Sequence, residues 1–275
     1  MNVFMDNEVQ TKLTIEEINK IIACPNCKGA LALVEFQDAR CDLCNEHYSW
    51  LSGTWDLIQS SYRLSSDLWP VWEQLQANGL VSYAKDPEHN LGIGERPDCL
   101  EFSQFCEFDG LVLDVGCGPQ ALPAYHKFRS DRTRFVGIDP LIRGSSANFV
   151  QFRALGEYLP FRNNVFDHVV FATSLDHFID PTPALVEARR VSRSNGQIDI
   201  WIGEKRLEPP KTVATFDWYM ELQKPNVAED VFHLRRLQST EVKAIIDTLG
   251  LHIVEERIRI VDGFKSNFFC RIKTE

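Results

Sequence analysis

Two sets of residues in this sequence have the types and the spacing to do chemistry. The first is LVLDVGCGPQ, residues 111–120, where an apolar run reaches Asp114 and leads into Gly116-x-Gly118. Glycines at such a point let a ligand come close to the backbone. A second acid, Asp139, ends the next apolar run, RFVGIDP, at the distance where a carboxylate can grip ribose hydroxyls. The second set is CPNC and CDLC, which supply Cys24, Cys27, Cys41 and Cys44. Two such knuckles can wrap four thiolates around one zinc ion, and four sulfur ligands leave no open position, so that metal would be structural. A redox pair would use the same residue types. His47 follows the second knuckle, but four cysteines already complete a site, so it reads as a surface histidine.

These residues need elements to position them. TIEE, from Thr14 to Glu17, has the form of a capping box and predicts a short helix before the first knuckle. GALALVEFQDAR, between the knuckles, predicts a strand, a turn and a return strand, and a segment so short would draw its folding energy from the metal. SSDLWPVWEQLQANG predicts a helix with Leu68, Val71, Trp72 and Leu75 inward, ending at Gly79. DPEHNLGIGERP reads as a polar loop, and DCLEFSQFCEF as an amphipathic helix.

From residue 111 strands and helices alternate. LVLDVG, RFVGIDP, NFVQFRA, FDHVVFAT and GQIDIWIG read as strands, and ALPAYHKFRS and PALVEARRVS as helices. STEVKAIIDTLG predicts a helix capped by Ser239 or Thr240 and stopped by Gly250. LHIVEERIRI and NFFCRIKT then read as an antiparallel pair. This pattern predicts an α/β fold, a parallel sheet with helices on both faces that binds its ligand at the carboxyl ends of the strands. The divisions expected are a zinc ribbon over 1–60, a helical linker and cover over 61–108, and a catalytic domain over 109–275 with an insertion near 205–238.

Bulk properties narrow the function. The chain has 275 residues, 44% hydrophobic and 25% charged, with a formal net charge of -10. Such a surface repels nucleic acid unless a local basic patch intervenes. The acid-containing opening has no apolar segment of signal-peptide type, and no apolar run is long enough to cross a bilayer. A cytoplasmic location with no membrane partner follows as the expectation. There the eight cysteines stay reduced, as metal ligands or packing residues.

GCGPQA also fits the loose glycine pattern of dinucleotide sites. Asp114 argues otherwise, because a carboxylate there repels a diphosphate and suits a ligand with a cationic amino acid. In order along the chain, LDVGCGPQ, GIDP, ALGEYLPF, FDHVVFATSLDHFID and ARRVSRSNGQIDI resemble the motifs of class I S-adenosylmethionine-dependent methyltransferases. The segment around Tyr48, Trp50, Gly53 and Leu57-Ile58 resembles zinc ribbons that accompany methyltransferases. The resemblance implies a Rossmann-like methyltransferase sheet with S-adenosyl-L-methionine as cofactor and zinc held by the ribbon. It implies that Gly116 and Gly118 lie against the methionine part and ribose, Asp114 near the amino group, and Asp139 on the ribose hydroxyls. The backbone of Leu155, Gly156 and Glu157 would border the adenine, and Ala172 and Thr173 would floor the site. Gln120 stands where relatives carry a third glycine, and Leu155 where they often carry an acid.

SLDHFID places Asp176 and His177 just past the methyl position, and His177 is the candidate base if the acceptor must lose a proton. A histidine that caps the next helix or packs beside the cofactor would occupy the same place. Trp218, Tyr219 and His233 are candidate substrate contacts. A small-molecule acceptor fits the acidic charge and the aromatic insertion. Two alternatives stay open: RNA, because ribosomal guanine methyltransferases share this domain order, with Arg129, Arg132, Arg134 and Arg189, Arg190, Arg193 as phosphate contacts, and a non-catalytic cofactor-binding partner protein.

Overall fold

The computed structural model describes residues 12–60, 62, 66–87, 96–144, 147–205 and 217–274. Most of the DPEHNLGIGERP segment and residues 206–216 of the insertion lie outside the described residues.

Helix α1, Ile15–Ile21, starts at the predicted capping box: Thr14 accepts from the Glu17 amide and Glu17 from the Thr14 amide. Strands β1 (Ala39–Arg40), β2 (His47–Leu51) and β3 (Thr54–Asp56) form a small antiparallel sheet. The strand expected between the knuckles is reduced to a bridge from Ala23 to Ala30, because Leu33 is held by the Asn19 side chain in place of a ladder partner.

Helix α2, Trp69–Lys85, runs past Gly79, where the sequence predicted an end. Its buried stripe is Trp69, Trp72, Leu75, Asn78 and Ser82; Leu68 is exposed and Val71 half-buried. Burying this stripe against the rest of the chain outweighs the roughly 1 kcal/mol cost of an internal glycine. Helix α3, Pro97–Cys106, precedes the main sheet.

That sheet comprises β4 (Leu111–Val115), β5 (Arg134–Ile138), β6 (Val150–Phe152), β7 (Phe166–Ala172), β8 (Ser192–Lys205), β9 (Ile253–Ile260) and β10 (Lys265–Lys273). Their spatial order is β6-β5-β4-β7-β8-β10-β9, parallel throughout except that β10 runs antiparallel to β8 and β9. Alternate residues face two layers, as a strand's two-residue period requires. Leu113, Val115, Val169 and Ile200 pack on α4 (Pro181–Val191) and α6 (Ser239–Thr248), with the single-turn α5 (Asp217–Met220) between those two in the chain, whereas Val112, Phe135 and Val170 pack with Phe102 and Phe105 of α3. Gln238, not Ser239 or Thr240, caps α6 in a reciprocal capping box with Glu241, and Gly250 beyond its end has φ +65° as predicted.

The helix predicted over ALPAYHKFRS is absent; a single turn of 3₁₀ helix at Ala124–His126 stands there. Pro119 and Pro123 are the physical reason, since proline removes amide donors and restricts the residue before it. Gln120 replaces the missing turn with its side chain, donating to the Cys117 carbonyl at 2.6 Å.

The ribbon shares the core of the main sheet. Leu57 donates to Arg153 and Arg153 to Trp55, so β3 continues the sheet beyond β6 and covers an otherwise open edge. Lys28 bonds Glu187 at 2.6 Å, Arg134 bonds Glu17 at 2.6 Å, and Asp56 pairs with Arg153.

Candidate active site

A cavity of about 590 Å³ opens at the carboxyl ends of β4, β5 and β7. This is the edge where parallel α/β sheets bind ligands. Gly116 turns β4 into it with φ +83°, and a side chain there would overlap Ser174, whose hydroxyl is anchored on the Val115 carbonyl at 2.6 Å. Asp139 ends β5 at the cavity wall. Its carboxylate accepts from the amides of Gly118 at 2.9 Å and Leu141 at 2.7 Å. Burial pushes its pKa up to about 6, and those two amides oppose the rise. Each oxygen keeps a further lone pair for a ligand hydroxyl.

Leu155, Gly156 and Glu157 border the cavity on one side, and Ala172 and Thr173 on its floor. The Leu155 side chain packs with Ile58, Trp69 and Trp72, so an acid at this position would be buried among apolar groups. Glu157 accepts from the Ile179 amide at 3.1 Å, and burial lifts its pKa to about 7. Thr173 holds φ +56°, a costly conformation for a β-branched residue.

Two glycine-loop residues stand elsewhere than the sequence suggested. Asp114 does not border the cavity: its carboxylate faces the other layer, fully buried, where it accepts from Tyr125 at 2.9 Å and bonds His126 Nε2 at 2.7 Å. The alternation along β4 dictates this, because Asp114 shares the face of Val112. His126 stacks on Phe135 with centroids 3.6 Å apart. The acid thus fastens the short turn that replaces the expected helix. Gly118 is covered by Tyr83, whose hydroxyl would lie 2.7 Å from a Cβ at that position.

Asp176, His177 and His233 meet at the far end of the cavity, with Trp218, Tyr219 and Phe232 beside them. The two imidazoles lie 4.2 Å apart. Burial and the neighbouring His233 push the His177 pKa down to about 4, so the ring is neutral at physiological pH. His233 is joined to Asp230 at 2.8 Å, and Arg236 bonds the same aspartate at 3.0 Å. The sequence reading missed Tyr83, Trp72, Asp230 and Arg236. For Asp230 and Arg236 a signal existed, since Asp230, His233 and Arg236 recur every third residue. Tyr83 was hidden by the helix end predicted at Gly79.

In the ribbon the four sulfurs all lie within 4.8 Å of one another, with Cys24–Cys44 at 3.6 Å and Cys27–Cys41 at 3.5 Å. A tetrahedron with metal–sulfur bonds of about 2.3 Å has edges of about 3.8 Å, so the set can hold one ion. Lys28 and Asn45, each following a knuckle, share φ +61°, and the Tyr48 hydroxyl lies 3.0 Å from the Cys24 sulfur.

Residues 113–200 match the family model described as a methyltransferase domain. An uncharacterized methyltransferase of Schizosaccharomyces pombe is 30% identical over 147 residues, covering 47% of this chain and 52% of the relative. The chain therefore spans about half the length of the curated relative it matches. The solved Burkholderia thailandensis 1,6-didemethyltoxoflavin-N1-methyltransferase, with S-adenosylhomocysteine bound, superposes with a TM-score of 0.52 at 12% identity, covering 87% of this chain and all (100%) of that one. An Aquifex aeolicus SAM-dependent methyltransferase has a TM-score of 0.41 at 17% identity, covering 65% of this chain and 94% of that one. The glycine loop, the acid after β5 and the seven-stranded sheet all lie in or around residues 113–200, the part of this chain that is similar to a methyltransferase domain.

Proposed function

We propose that this protein transfers a methyl group from S-adenosylmethionine to a small-molecule acceptor, and that a structural zinc ion in its ribbon holds the adenine side of the site in shape. The observation that carries the reading is the single cavity joining the glycine loop to the histidine cluster. Asp139 would hold the ribose hydroxyls, Gly116 would admit the methionine part, and Leu155 to Glu157 would border the adenine. Bound S-adenosylmethionine supplies an electrophilic methyl on a sulfonium, and displacement at that carbon needs alignment above all. Thr173, held in its strained conformation, and Ala172 set the floor for that alignment. An acceptor that loses a proton would pass it to the Asp176–His177–His233 cluster, where His177 is neutral and able to take it. Trp72 and the insertion residues Trp218, Tyr219 and Phe232 would close around the acceptor and exclude water.

The volume suits a cofactor with a small acceptor, since ligand cavities run to roughly 300–1,000 Å³. The arginines proposed for RNA are engaged elsewhere. Arg132 pairs with Asp109, Arg134 with Glu17, Arg190 with Glu187 and Arg193 with Asp167. Arg129 and Arg189 bond the carbonyls of His126 and Leu249. The zinc part of the reading rests on the four sulfurs and on Lys28, which ties the first knuckle to Glu187 and to the Leu159 carbonyl beside the adenine segment.

The test is transfer from methyl-labelled S-adenosylmethionine into a cell extract split into RNA, protein and small-molecule fractions. Label in the small-molecule fraction is expected. Label in RNA would overturn the acceptor class. No label despite measurable cofactor affinity would favour a non-catalytic partner.

A further inference from the structure

The cluster at the acceptor end has a donor set that the proton-transfer reading does not use up. We propose that Asp176, His177 and His233 form a binding site for one divalent transition-metal ion, which takes the acceptor through an oxygen or nitrogen lone pair. This rests on the methyl-transfer reading and assigns its acceptor class: a molecule with a metal-binding hydroxyl, carboxylate or amine.

Three observations carry it. One ligand atom from each of the three residues lies within 4.8 Å of the other two, as donors around a single ion must. Next, both imidazoles are oriented through their other nitrogen. His233 Nδ1 is 2.8 Å from the Asp230 carboxylate and His177 Nδ1 is 3.3 Å from the Phe232 carbonyl, so each Nδ1 carries the proton and each Nε2 keeps its lone pair. Metal-ligating histidines are held in this way by a carboxylate or a backbone carbonyl. Last, the Asp176 carboxylate is only 6% exposed, yet its neighbours stand beyond hydrogen-bonding range, His233 Nε2 at 3.6 Å and Arg236 at 3.7 Å. Both are long ion pairs, which leave room for a closer cation on the same carboxylate.

Charge is compatible. Asp176 and Asp230 place two carboxylates and Arg236 one guanidinium at this end of the cavity, so a divalent ion leaves a small net charge. Two imidazoles and one carboxylate suit manganese, iron, cobalt or zinc, and three protein ligands leave positions for an acceptor. With the ion in place the Nε2 lone pairs are spent on it. The ion would then lower the pKa of the acceptor bound to it, so that the proton leaves to solvent water and not to a free imidazole.

The experiment is an electron paramagnetic resonance titration of the full chain, its ribbon loaded with zinc, with Mn(II) alone; thiolates disfavour manganese, so the ribbon does not interfere. S-adenosylhomocysteine affinity is measured in parallel by calorimetry. One equivalent of Mn(II) should bind. His233→Ala should weaken it at least a hundredfold, and Asp230→Asn, which only reorients His233, between roughly ten- and a hundredfold. Cofactor-product affinity should stay within threefold in both. A free-manganese signal undiminished at millimolar Mn(II), or binding unchanged in both variants, overturns the proposal. Absent S-adenosylhomocysteine affinity with Mn(II) bound would instead overturn the methyl-transfer reading and support the metal site.

Discussion

Asp139→Asn tests the cofactor side of the site most directly. The carboxylate already takes the amides of Gly118 and Leu141 and would use its remaining lone pairs on two ribose hydroxyls. With its pKa lifted to about 6, it is roughly ten-to-one ionised at pH 7. An asparagine keeps one acceptor oxygen and turns an NH₂ group toward the other amide. Hydrogen bonds to a charged group contribute about 1.5–3 kcal/mol each, so losing one and weakening the other should cost about 2–4 kcal/mol in binding. That corresponds to a dissociation constant for S-adenosylhomocysteine raised roughly 30- to 1,000-fold. The fold should change little, because the amide also removes a buried charge. The sign with pH follows from the ionised form being the better acceptor. Wild-type affinity should fall as pH drops through about 6, and the variant should show no such fall. Calorimetry from pH 5 to 8 reads both. A variant constant within threefold of wild type at pH 7.5, or a flat wild-type profile, would refute the reasoning.

Asp114→Ala should behave in the opposite way. It strands Tyr125 and His126 in the core and should cost about 2–4 kcal/mol of stability by denaturant unfolding, with cofactor-product affinity at saturating fold changed far less than by Asp139→Asn; intact stability with lost affinity would return Asp114 to the binding site. Stripping metal from the ribbon with a chelator should release its four sulfurs and lower both the melting temperature and S-adenosylhomocysteine affinity, since Lys28 and Leu57 are fastened to the adenine edge. An unchanged melting curve after verified metal loss would count against a structural ion. His177→Ala should slow transfer into the labelled product at least a hundredfold with cofactor-product affinity within threefold, and the wild-type rate should show no inflection near pH 6.5, because this ring protonates only near 4. A rate that rises steeply through pH 6.5 would refute the lowered His177 pKa, and a rate unchanged in His177→Ala would remove the residue from the reaction.

Period and punctuation in the sequence were sufficient for much of this molecule. The capping box at Thr14, the paired knuckles, the two-residue alternation of the sheet strands and Gly250 are local patterns, and local sterics and hydrogen bonding decide them. Gly116 was legible for the same reason: a chain that turns sharply after a buried strand, with φ +83°, needs a glycine there. Other features depended on tertiary packing. Which layer Asp114 faces depends on the partners each face of β4 meets, and the buried pair Tyr125 and His126 claims it. Helix α2 continues through Gly79 because packing outweighs propensity, which is how Tyr83 comes to lie over the glycine loop. Prolines 119 and 123 were visible in the chain, but the side-chain bond from Gln120 that closes the turn in place of a helix depends on the folded loop. His233 is separated from His177 by more than fifty residues, and only the folding of the insertion back over the sheet brings the two rings together. Spacing along the chain determines turns and periodic faces, whereas the meeting of distant side chains is set by the shape that burial of those faces imposes.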